Sequence, residues 1–323
     1  SGVVVRTMLK DANQKDQRPA NITAFCKRKG KMSVNTTGCA NGAFLTINDI
    51  PVHFSEDWDT GIGGGLWSTG LAMAKYFEHH ADDVVNNLKR LSHIKYLRQS
   101  AQLKNDGQKN DDQKNDDIVT SKNEEGISAM ELGSGNGFLS VCLLALAAHQ
   151  RIPLKKLVVT DLADHLALMA TTLKANPHVW DQLTMIEPND GGTSNIHSVE
   201  NQTQINSASV VVAEHMWGEF PCDTVPTECN LQTHDVHNKK YDFIFGTDLA
   251  YRNSLHEPLI ASLLHFSHQY TLCLIGVTMT DTQPVFFDLL TKSGFRYEKL
   301  ADHLLEREFR GSNFGIIAIQ RRS

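Results

Sequence analysis

The sequence has no excess of positive charge and no long apolar segment. Its 31 Lys and Arg residues are outnumbered by 37 Asp and Glu residues, which gives a formal net charge of −6. A protein that mainly binds phosphate backbones carries a basic excess, so we expect no nucleic-acid partner. The longest apolar run, residues 138–148, is 11 residues long and is interrupted only by Ser140. Because a membrane span needs about 20 apolar residues, we also expect no membrane-spanning helix.

Closely spaced cysteines and an apolar leader are also missing. The six cysteines are scattered without a C-x-x-C pair, and Cys142 and Cys273 lie inside apolar runs, where free cysteine packs as a small hydrophobe. The apolar stretch at residues 3–5 is too short for a signal peptide. These features predict a reducing compartment, and we expect a cytoplasmic protein, with the nucleus as the alternative. His234 and His237 have the spacing of metal ligands but lack a third ligand in their polar loop, so we expect no metal site.

Polar segments interrupt the rest of the chain. Residues 104–117 repeat Lys, Asn and Asp without any apolar side chain. Such a composition buries nothing, so we predict a disordered insertion at about 99–126. Residues 187–207 and 219–240 are also poor in apolar side chains, and we predict that both are polar insertions. We expect residues 1–40 to be loosely ordered.

The remaining residues alternate between strand and helix patterns. An alternating run at 44–54, centred on Asn48 and Asp49, predicts an N-terminal β-hairpin. Strands that alternate with helices form a mostly parallel sheet covered on both faces, and the last two strands, with no helix pattern between them, predict an antiparallel edge. We therefore expect one α/β domain over residues 41–323, of which roughly 230 to 250 residues form the domain itself. The predicted strands are 127–132, 156–160, 209–213, 241–246, 270–278, 295–299 and 314–320, and the predicted helices are 67–97, 138–149, 164–175, 255–268 and 283–293.

Three glycines follow the first strand of this series. They lie in the segment Glu131-Leu-Gly-Ser-Gly-Asn-Gly137, which leads from the strand into a helix. Glycine permits a tight turn and lets a ligand approach backbone N–H groups at a helix N-terminus. The G-x-G-x-G spacing differs from the G-x-G-x-x-G of dinucleotide folds, and no Gly-Lys-[Ser/Thr] of a P-loop follows. Taken alone, the cluster also fits a turn that holds no ligand.

Acidic residues follow two further strands. Asp161 ends the second strand, where a carboxylate can accept hydrogen bonds from both ribose hydroxyls of a nucleoside. An N-cap of the next helix is its alternative role, and the two roles are compatible. Asp248 follows the fourth strand, in the segment Gly246–Tyr251. Since ligands of open α/β sheets bind outside the carboxyl ends of the strands, we expect the glycines and both acids to face one crevice.

Four segments resemble known methyltransferases. Glu131–Gly137 resembles the first motif of class I, seven-strand methyltransferases that use S-adenosylmethionine. Three others resemble segments of the protein-lysine methyltransferases of methyltransferase family 16: Gly65-Leu-Trp67, Met216-Trp217-Gly218 and Asp248-Leu-Ala-Tyr251, the last an instance of the family's D-x-x-Y motif. The run Phe54–Asp59 is similar to members that act on heat-shock chaperones. The resemblance covers roughly residues 44–320 and implies a Rossmann-like fold with a seven-stranded sheet.

The resemblance also implies a site, with S-adenosylmethionine as cofactor and S-adenosylhomocysteine as product. It implies that Asp161 holds the ribose, that Trp217 contacts the adenine and that Trp67 packs on the methionine part. Asp248 and Tyr251 are implied to border the channel for the target side chain. A core position is the alternative for both tryptophans, and Tyr251 could instead cap the following helix. The implied cofactor-binding residues are Trp67, Glu131, Gly133, Ser134, Gly135, Gly137, Asp161, Trp217 and Thr247.

The activity implied by the resemblance is methyl transfer to a lysine side chain of a protein, such as a heat-shock chaperone or an elongation factor, by a monomeric enzyme. Because a free lysine is neutral only about 4 times in 10,000 at pH 7, we expect Asp248 to position the incoming amine or take its proton, and Tyr251 to orient it. The alternatives are a histidine-directed protein methyltransferase, a small-molecule methyltransferase and a catalytically silent chaperone-binding domain. A nucleic-acid N-methyltransferase is disfavoured because the motif at 248–251 contains no proline.

Overall fold

The computed structural model describes the parts of the chain that carry the predicted strands and helices. These are residues 43–106, 126–188, 194–200, 208–220, 236, 239–311 and 313–322. The predicted loose segment 1–40, most of the predicted insertion 219–240, and the pair His234 and His237 lie outside the described residues. The described part combines a two-stranded hairpin, a nine-stranded sheet and five α-helices.

The predicted N-terminal hairpin is present. Strand β1 (Ala43–Ile47) pairs antiparallel with β2 (Ile50–Phe54). Asn48 and Asp49, which join the two strands, have positive φ angles of 48° and 65°. A two-residue turn of type I′ requires this conformation, and Asn and Asp tolerate it better than most residues. The ring of Phe54 meets that of Phe138 edge to face with centroids 5.0 Å apart, which attaches the hairpin to the domain.

The main sheet is mostly parallel, as predicted. Its strands are β3 (Ile127–Leu132), β4 (Leu154–Asp161), β5 (Gln182–Pro188), β6 (Ser194–Glu200), β7 (Ser209–Glu214), β8 (Phe243–Thr247), β9 (Leu272–Thr278), β10 (Phe295–Lys299) and β11 (Phe314–Arg321). Their order is β10-β11-β9-β8-β3-β4-β7-β5-β6, and pairing is parallel from β9 to β5. The antiparallel last strand is confirmed as β11, which lies between β10 and β9. Within the described residues the sheet has nine strands rather than the predicted seven.

One of the two additional strands, β6, lies within the predicted polar insertion at 187–207, and the other, β5, ends where that insertion begins. β5 pairs parallel with β7, and β6 pairs antiparallel with β5 at the edge of the sheet. Because β6 is mostly exposed, it has no alternation of apolar and polar side chains by which a strand is identified. Residues 201–207 lie outside the described part of the chain.

The first helix is longer than predicted. The helices are α1 (Ser68–Asp106), α2 (Phe138–Ala148), α3 (Leu166–Lys174), α4 (His256–Phe266) and α5 (Pro284–Lys292). α1 bends at His80, whose φ of −118° is not helical, and continues beyond the predicted end at residue 97. Residues 99–106, predicted to belong to a disordered insertion, are therefore helical. Elongating a helix costs far less than starting one, so polar residues extend a helix that buried residues have already nucleated. Residues 107–125 lie outside the description.

Helices cover both faces of the sheet, as predicted. Side chains of α1, α2 and α3 share one apolar cluster, and those of α4 and α5 share a second. Alternate residues of strand β8 pack against the helices on opposite faces of the sheet. Phe243 and Phe245 of β8 meet Phe77 of α1, whereas Ile244 belongs to the cluster that contains Leu263 of α4. Among the helices described, none is both long and apolar enough to cross a membrane.

Candidate active site

A cavity of about 710 Å³ lies at the carboxyl ends of the central parallel strands. Its walls come from the turns after β8, β3, β4 and β7, which are neighbours in the sheet, and from the segment that precedes α1. Open α/β sheets bind their ligands at this place. Ten of the eleven predicted site residues line the cavity: Trp67, Glu131, Gly133, Ser134, Gly135, Asp161, Trp217, Thr247, Asp248 and Tyr251.

The turn after β3 leaves no room for a side chain at Gly133 or at Gly135. Gly133 and Gly135 have left-handed φ angles of 61° and 59°, a conformation that favours glycine. A Cβ on Gly133 would lie 2.7 Å from the Leu249 side chain and 2.9 Å from the Trp217 ring. Gly137 is the predicted site residue that does not line the cavity. It precedes α2 with a φ of 80°, and a Cβ there would meet the backbone of Met169 in α3 at 3.4 Å.

Glu131 is buried beneath this turn. Its Oε2 accepts a hydrogen bond from the hydroxyl of Ser134 at 2.8 Å and a second one from the hydroxyl of Ser140. Burial raises the pKa of Glu131 to about 8, and the negative charge of Asp161 adds to the rise, although the two hydroxyls oppose it. The carboxyl is therefore mostly neutral at pH 7. A cationic group placed beside it would favour its ionised form.

Asp161 is held by backbone N–H groups. Its Oδ2 accepts from Gly135 N at 2.6 Å, and its Oδ1 accepts from Leu162 N at 2.7 Å. The cap of the following 3₁₀ turn is Leu162, and the cap of α3 is His165, so the alternative role of Asp161 as an N-cap is wrong. Burial raises the pKa of Asp161 in spite of these hydrogen bonds and of the neighbouring His165. Since each carboxylate oxygen has two acceptor positions, both can still receive a ribose hydroxyl.

A second glycine segment, residues 61–65, lies against the first. A Cβ on Gly63 would lie 2.7 Å from Nε2 of His165 and 3.2 Å from the Cα of Gly135, so the two backbones are in close contact. Trp67, just beyond this segment, is half-buried, lines the cavity and meets Trp58 edge to face with centroids 6.0 Å apart. The prediction included only the last glycine of this segment. The signal that could have identified this segment is its four glycines in five residues.

The turn after β7 places Trp217 in the wall of the cavity. Its ring lies beside Gly133, and it is half-buried at the margin of the apolar cluster formed by α4 and α5. A purely core position is thus not its role, because it also lines the cavity. The residue before the turn, His215, is buried, and its Nε2 lies 2.9 Å from the hydroxyl of Ser262 in α4.

Asp248 has an unusual backbone and an unusual carboxyl group. Its φ of 56° lies in the left-handed region, which for a residue other than glycine is a common mark of functional sites. The hydroxyl of Thr278 donates to Oδ1 at 3.1 Å, whereas the buried Oδ2 has no hydrogen-bond partner among the described residues. Burial raises the pKa of Asp248 to about 6, and the nearby hydroxyls of Thr69 and Thr278 oppose this rise.

Tyr251 and Thr247 complete the same side of the cavity. Tyr251 is 37% exposed, and the guanidinium carbon of Arg252 lies 5.3 Å from its ring centroid. It caps neither of the helical segments that follow, since Arg252 and Leu255 hold those positions, so the capping alternative for Tyr251 is wrong. Thr247 ends β8, and its methyl group lies where a Cβ on Gly276 would come within 2.8 Å.

Several cavity residues were not predicted as site residues, although each lies inside a recognised motif or near one. They include Gly63, Asn136, Leu162, His165, His215 and Met216. Adjacency to a recognised motif is the signal that would have suggested them. The described residues contain no group of three or more His, Cys, Asp or Glu side chains arranged to hold a metal ion.

Comparisons with known proteins agree with this geometry. The model of a family described as lysine methyltransferase matches residues 47–206, about half of the chain. The protein N-terminal and lysine N-methyltransferase EFM7 of Gibberella zeae is 22% identical over 205 residues, which cover 61% of this chain and 67% of the relative.

Solved methyltransferases are more distant. The ribosomal protein L11 methylase of Lactobacillus delbrueckii subsp. bulgaricus is 14% identical, with 62% of this chain and 72% of that chain covered and a TM-score of 0.36. SMU.776, solved with S-adenosylhomocysteine, is 13% identical, with 88% of this chain and 57% of that chain covered and a TM-score of 0.40. Such scores are too low to support a conclusion about function.

The fold, the glycine turn and the buried acids together define a class I methyltransferase that uses S-adenosylmethionine. Over residues 47–206 the chain matches methyltransferase family 16. The cavity fits this cofactor, because Asp161 lines it at the end of β4 and retains free acceptor positions for the ribose hydroxyls.

Proposed function

We propose that this chain transfers methyl groups from S-adenosylmethionine to a lysine side chain of a protein substrate, of the chaperone or translation-factor class. The description of the family supports lysine as the acceptor. The relative from Gibberella zeae supports it too, since its name includes both lysine and N-terminal methylation. The resemblance of residues 54–59 to chaperone-directed members supports the substrate class.

The observation that carries the proposal is the buried Oδ2 of Asp248, which has no hydrogen-bond partner among the described residues although Asp248 lines the cavity. A buried carboxylate oxygen without a partner costs free energy, so its persistence in a cavity wall calls for a function. An ammonium or amine that enters the cavity would supply the missing hydrogen bond. A neutral or acidic acceptor group would not need a carboxylate there.

The residues around Asp248 suit an amine acceptor. With a pKa of about 6, the carboxyl is mostly ionised at pH 7 but accepts a proton more readily than an ordinary aspartate. It therefore attracts the lysine ammonium and can hold the proton that must leave before the nitrogen attacks. The apolar surroundings that raise this pKa also favour the neutral amine. Tyr251 stands beside this path, where its hydroxyl would orient the amine.

The residues on the cofactor side would position S-adenosylmethionine. Asp161 would hold the ribose hydroxyls, Trp217 the adenine, and Trp67 the methionine part, while Glu131 would lie near the amino group. S-adenosylmethionine supplies a methyl group already activated on a sulfonium, so the protein needs only to align donor and acceptor and to exclude water. The nitrogen–carbon bond forms as the carbon–sulfur bond breaks, and the sulfur keeps that electron pair.

The test is transfer of a deuterated methyl group into the proteins of a cell extract, followed by mass spectrometric location of the label. We expect labelled lysine side chains, and no label with the Asp248→Asn variant. Label on histidine, on an α-amino group or only on small molecules would replace the lysine assignment. Failure to bind S-adenosylhomocysteine in calorimetry would instead identify a catalytically silent domain.

The same proposal includes a monomeric enzyme in the cytoplasm. Buried free thiols at Cys142 and Cys273 support a reducing compartment. Light scattering on the purified chain and fractionation of cells that express it test the two points. A stable dimer, or a protein confined to the nucleus, would contradict them.

A further inference from the structure

The turn after β7 is fixed by a serine of another element. Ser262 lies in the middle of α4, and its side chain is fully buried. Its Oγ accepts a hydrogen bond from the backbone N of Gly218 at 3.0 Å and lies 2.9 Å from Nε2 of His215. The two contacts lie on either side of Met216 and Trp217. One hydroxyl therefore joins both ends of the turn that carries Trp217.

The hydroxyl of Ser262 can make both hydrogen bonds at once. A backbone N–H can only donate, so the hydroxyl accepts from Gly218, and it still has a proton and a second lone pair for the contact with Nε2 of His215. The ring is also held between Phe266, edge to face at 4.9 Å, and Phe220, at 6.0 Å. His215 is thus fixed by packing as well as by the hydrogen bond.

This arrangement connects to both sides of the predicted adenosine site. The backbone N of His215 donates to the carbonyl of Asp161 at 2.9 Å, which ties the turn to the end of β4. At the other end, Gly218 has a φ of 80°, and a Cβ there would lie 3.1 Å from the Cα of Pro258 in α4. The indole of Trp217 stands between these anchors, against Gly133.

We propose that Ser262 and His215 are positioning residues for the cofactor: the serine hydroxyl bridges His215 and Gly218 and thereby holds Trp217 beside Gly133. The inference rests on the proposed contact between Trp217 and the cofactor. Ser262 does not line the cavity and acts through the turn, whereas His215 is part of the cavity wall, so Ser262→Ala is the cleaner test of positioning. Without the bridge the turn samples other conformations, and the apparent affinity falls in proportion to the fraction of molecules that remain competent to bind.

The test measures the affinity for S-adenosylhomocysteine by calorimetry in four variants. Ser262→Ala removes two hydrogen bonds and should weaken binding roughly tenfold. Ser262→Thr keeps the hydroxyl and should restore most of the affinity. Ser267→Ala is the matched control, because Ser267 is also buried, directly follows α4 and has a hydroxyl without a hydrogen-bond partner. It should leave the affinity unchanged. Trp217→Ala tests the contact on which the inference depends.

A spectroscopic measurement separates positioning from general destabilisation. The chain has 4 tryptophans, and fluorine NMR of the 5-fluorotryptophan protein resolves them, with Trp217→Phe identifying one signal. In Ser262→Ala the Trp217 signal should shift or broaden, whereas that of the buried Trp180, which donates to Leu173 O at 2.9 Å, should stay in place. If Ser262→Ala does not fold, His215→Leu removes the bridge from the strand side and should weaken binding to a similar extent.

The outcomes are distinct. If Trp217→Ala weakens binding but Ser262→Ala and His215→Leu do not, the positioning role is wrong and the cofactor contact stands. If Trp217→Ala has no effect, the cofactor contact itself is wrong, and the inference falls with it. Weakening by Ser262→Ala that Ser262→Thr does not restore, or an equal loss in Ser267→Ala, would also overturn the positioning role.

Discussion

The two sides of the cavity differ in how completely the protein satisfies its own acids. On the cofactor side, Glu131 accepts two hydroxyl hydrogen bonds, and both oxygens of Asp161 accept backbone N–H groups. On the acceptor side, Asp248 has one oxygen bonded by Thr278 and one without a partner. Both acids of the cofactor side are therefore hydrogen-bonded before any ligand binds. Asp248 completes its hydrogen bonds only when a ligand supplies a donor.

This difference suggests that the two sides of the cavity have different functions. Acids that are already hydrogen-bonded are held in one orientation, which suits a cofactor that every turnover uses. A strained acid with an unpaired, buried oxygen is costly in the resting protein and suits a group that binds or moves a proton. Asp248 combines a left-handed backbone, burial and a raised pKa at one position. Neither acid of the cofactor side has a left-handed backbone.

The largest effect should come from Asp248→Asn. Asparagine keeps the shape and tolerates the left-handed backbone, but it carries no charge and takes no proton. We expect turnover to fall by about 1,000-fold or more, which corresponds to about 4 kcal/mol. Asp281, an exposed acid whose charge acts on Asp248, provides the control. Asp281→Asn should keep turnover within a few-fold of the wild type, and an equal loss in both variants would contradict the role of Asp248.

A pH-dependent effect on stability should follow Glu131→Gln. The folded pKa of Glu131 is raised from 4.5 to about 8. Its favourable contribution is therefore fully present below about pH 4.5 and is lost as the pH rises towards 8. Between pH 5 and pH 8 the wild type should lose on the order of 4 kcal/mol relative to Glu131→Gln, measured by urea unfolding.

A buried acid with the opposite shift supplies the control for this measurement. The pKa of Asp242 is lowered to about 2, because hydrogen bonds from His268 and Ser128 outweigh its burial. Its contribution is present above its unfolded pKa, about 3.9, and is lost only as the pH falls below that value. Asp242→Asn should therefore shift stability by a constant amount between pH 5 and pH 8. A flat difference for Glu131→Gln as well would show that Glu131 is ionised throughout.

A smaller effect, on affinity, should come from Asp161→Asn. The change replaces one acceptor oxygen by an amide that cannot accept from Gly135 N and from a ribose hydroxyl together. We expect the dissociation constant for S-adenosylhomocysteine to rise by about 30-fold, or about 2 kcal/mol, in calorimetry. Turnover at saturating cofactor should stay within a few-fold, because Asp161 does not border the acceptor. A loss of turnover without a loss of affinity would contradict its assignment to the cofactor.

The smallest effects should come from a pair of glycines. Gly294 has a φ of 84° with open space around its Cβ position, whereas Gly133 combines a φ of 61° with close neighbours. Gly294→Ala should cost about 1 kcal/mol of stability from backbone strain alone and leave cofactor affinity unchanged. Gly133→Ala should cost about 1 kcal/mol more through crowding, and it should also weaken binding. Equal effects on affinity would show that the crowding at Gly133 is unimportant.

Much of the fold follows from local patterns in the sequence. The buried strands and the amphipathic helices have apolar periodicities that survive without tertiary information, so their order and the antiparallel last strand are predictable. The strand β6 is not, because an exposed edge strand needs no apolar face. The end of α1 was misplaced because the helix continues into polar residues that bury nothing.

The candidate site likewise contains residues that could be predicted from the sequence and residues that could not. The glycines, Asp161 and Asp248 were predictable because they lie at or just after the end of a strand. The contact of Gly63 with His165 and Gly135, and the bridge from Ser262 to His215, were not. These residues are distant in sequence, and only the packing of α3 and α4 on the sheet brings them together. The open oxygen of Asp248 likewise depends on which hydroxyls reach it.

The most direct test of the difference between the two sides measures two quantities on the same samples. Cofactor affinity and turnover at saturating cofactor are determined for Asp161→Asn and Asp248→Asn with the methylated protein identified in extract. The account predicts that Asp161→Asn loses affinity and keeps turnover, while Asp248→Asn loses turnover and keeps its affinity for S-adenosylhomocysteine within about threefold. Loss of the same quantity in both variants would contradict the division of the cavity into a cofactor side and an acceptor side.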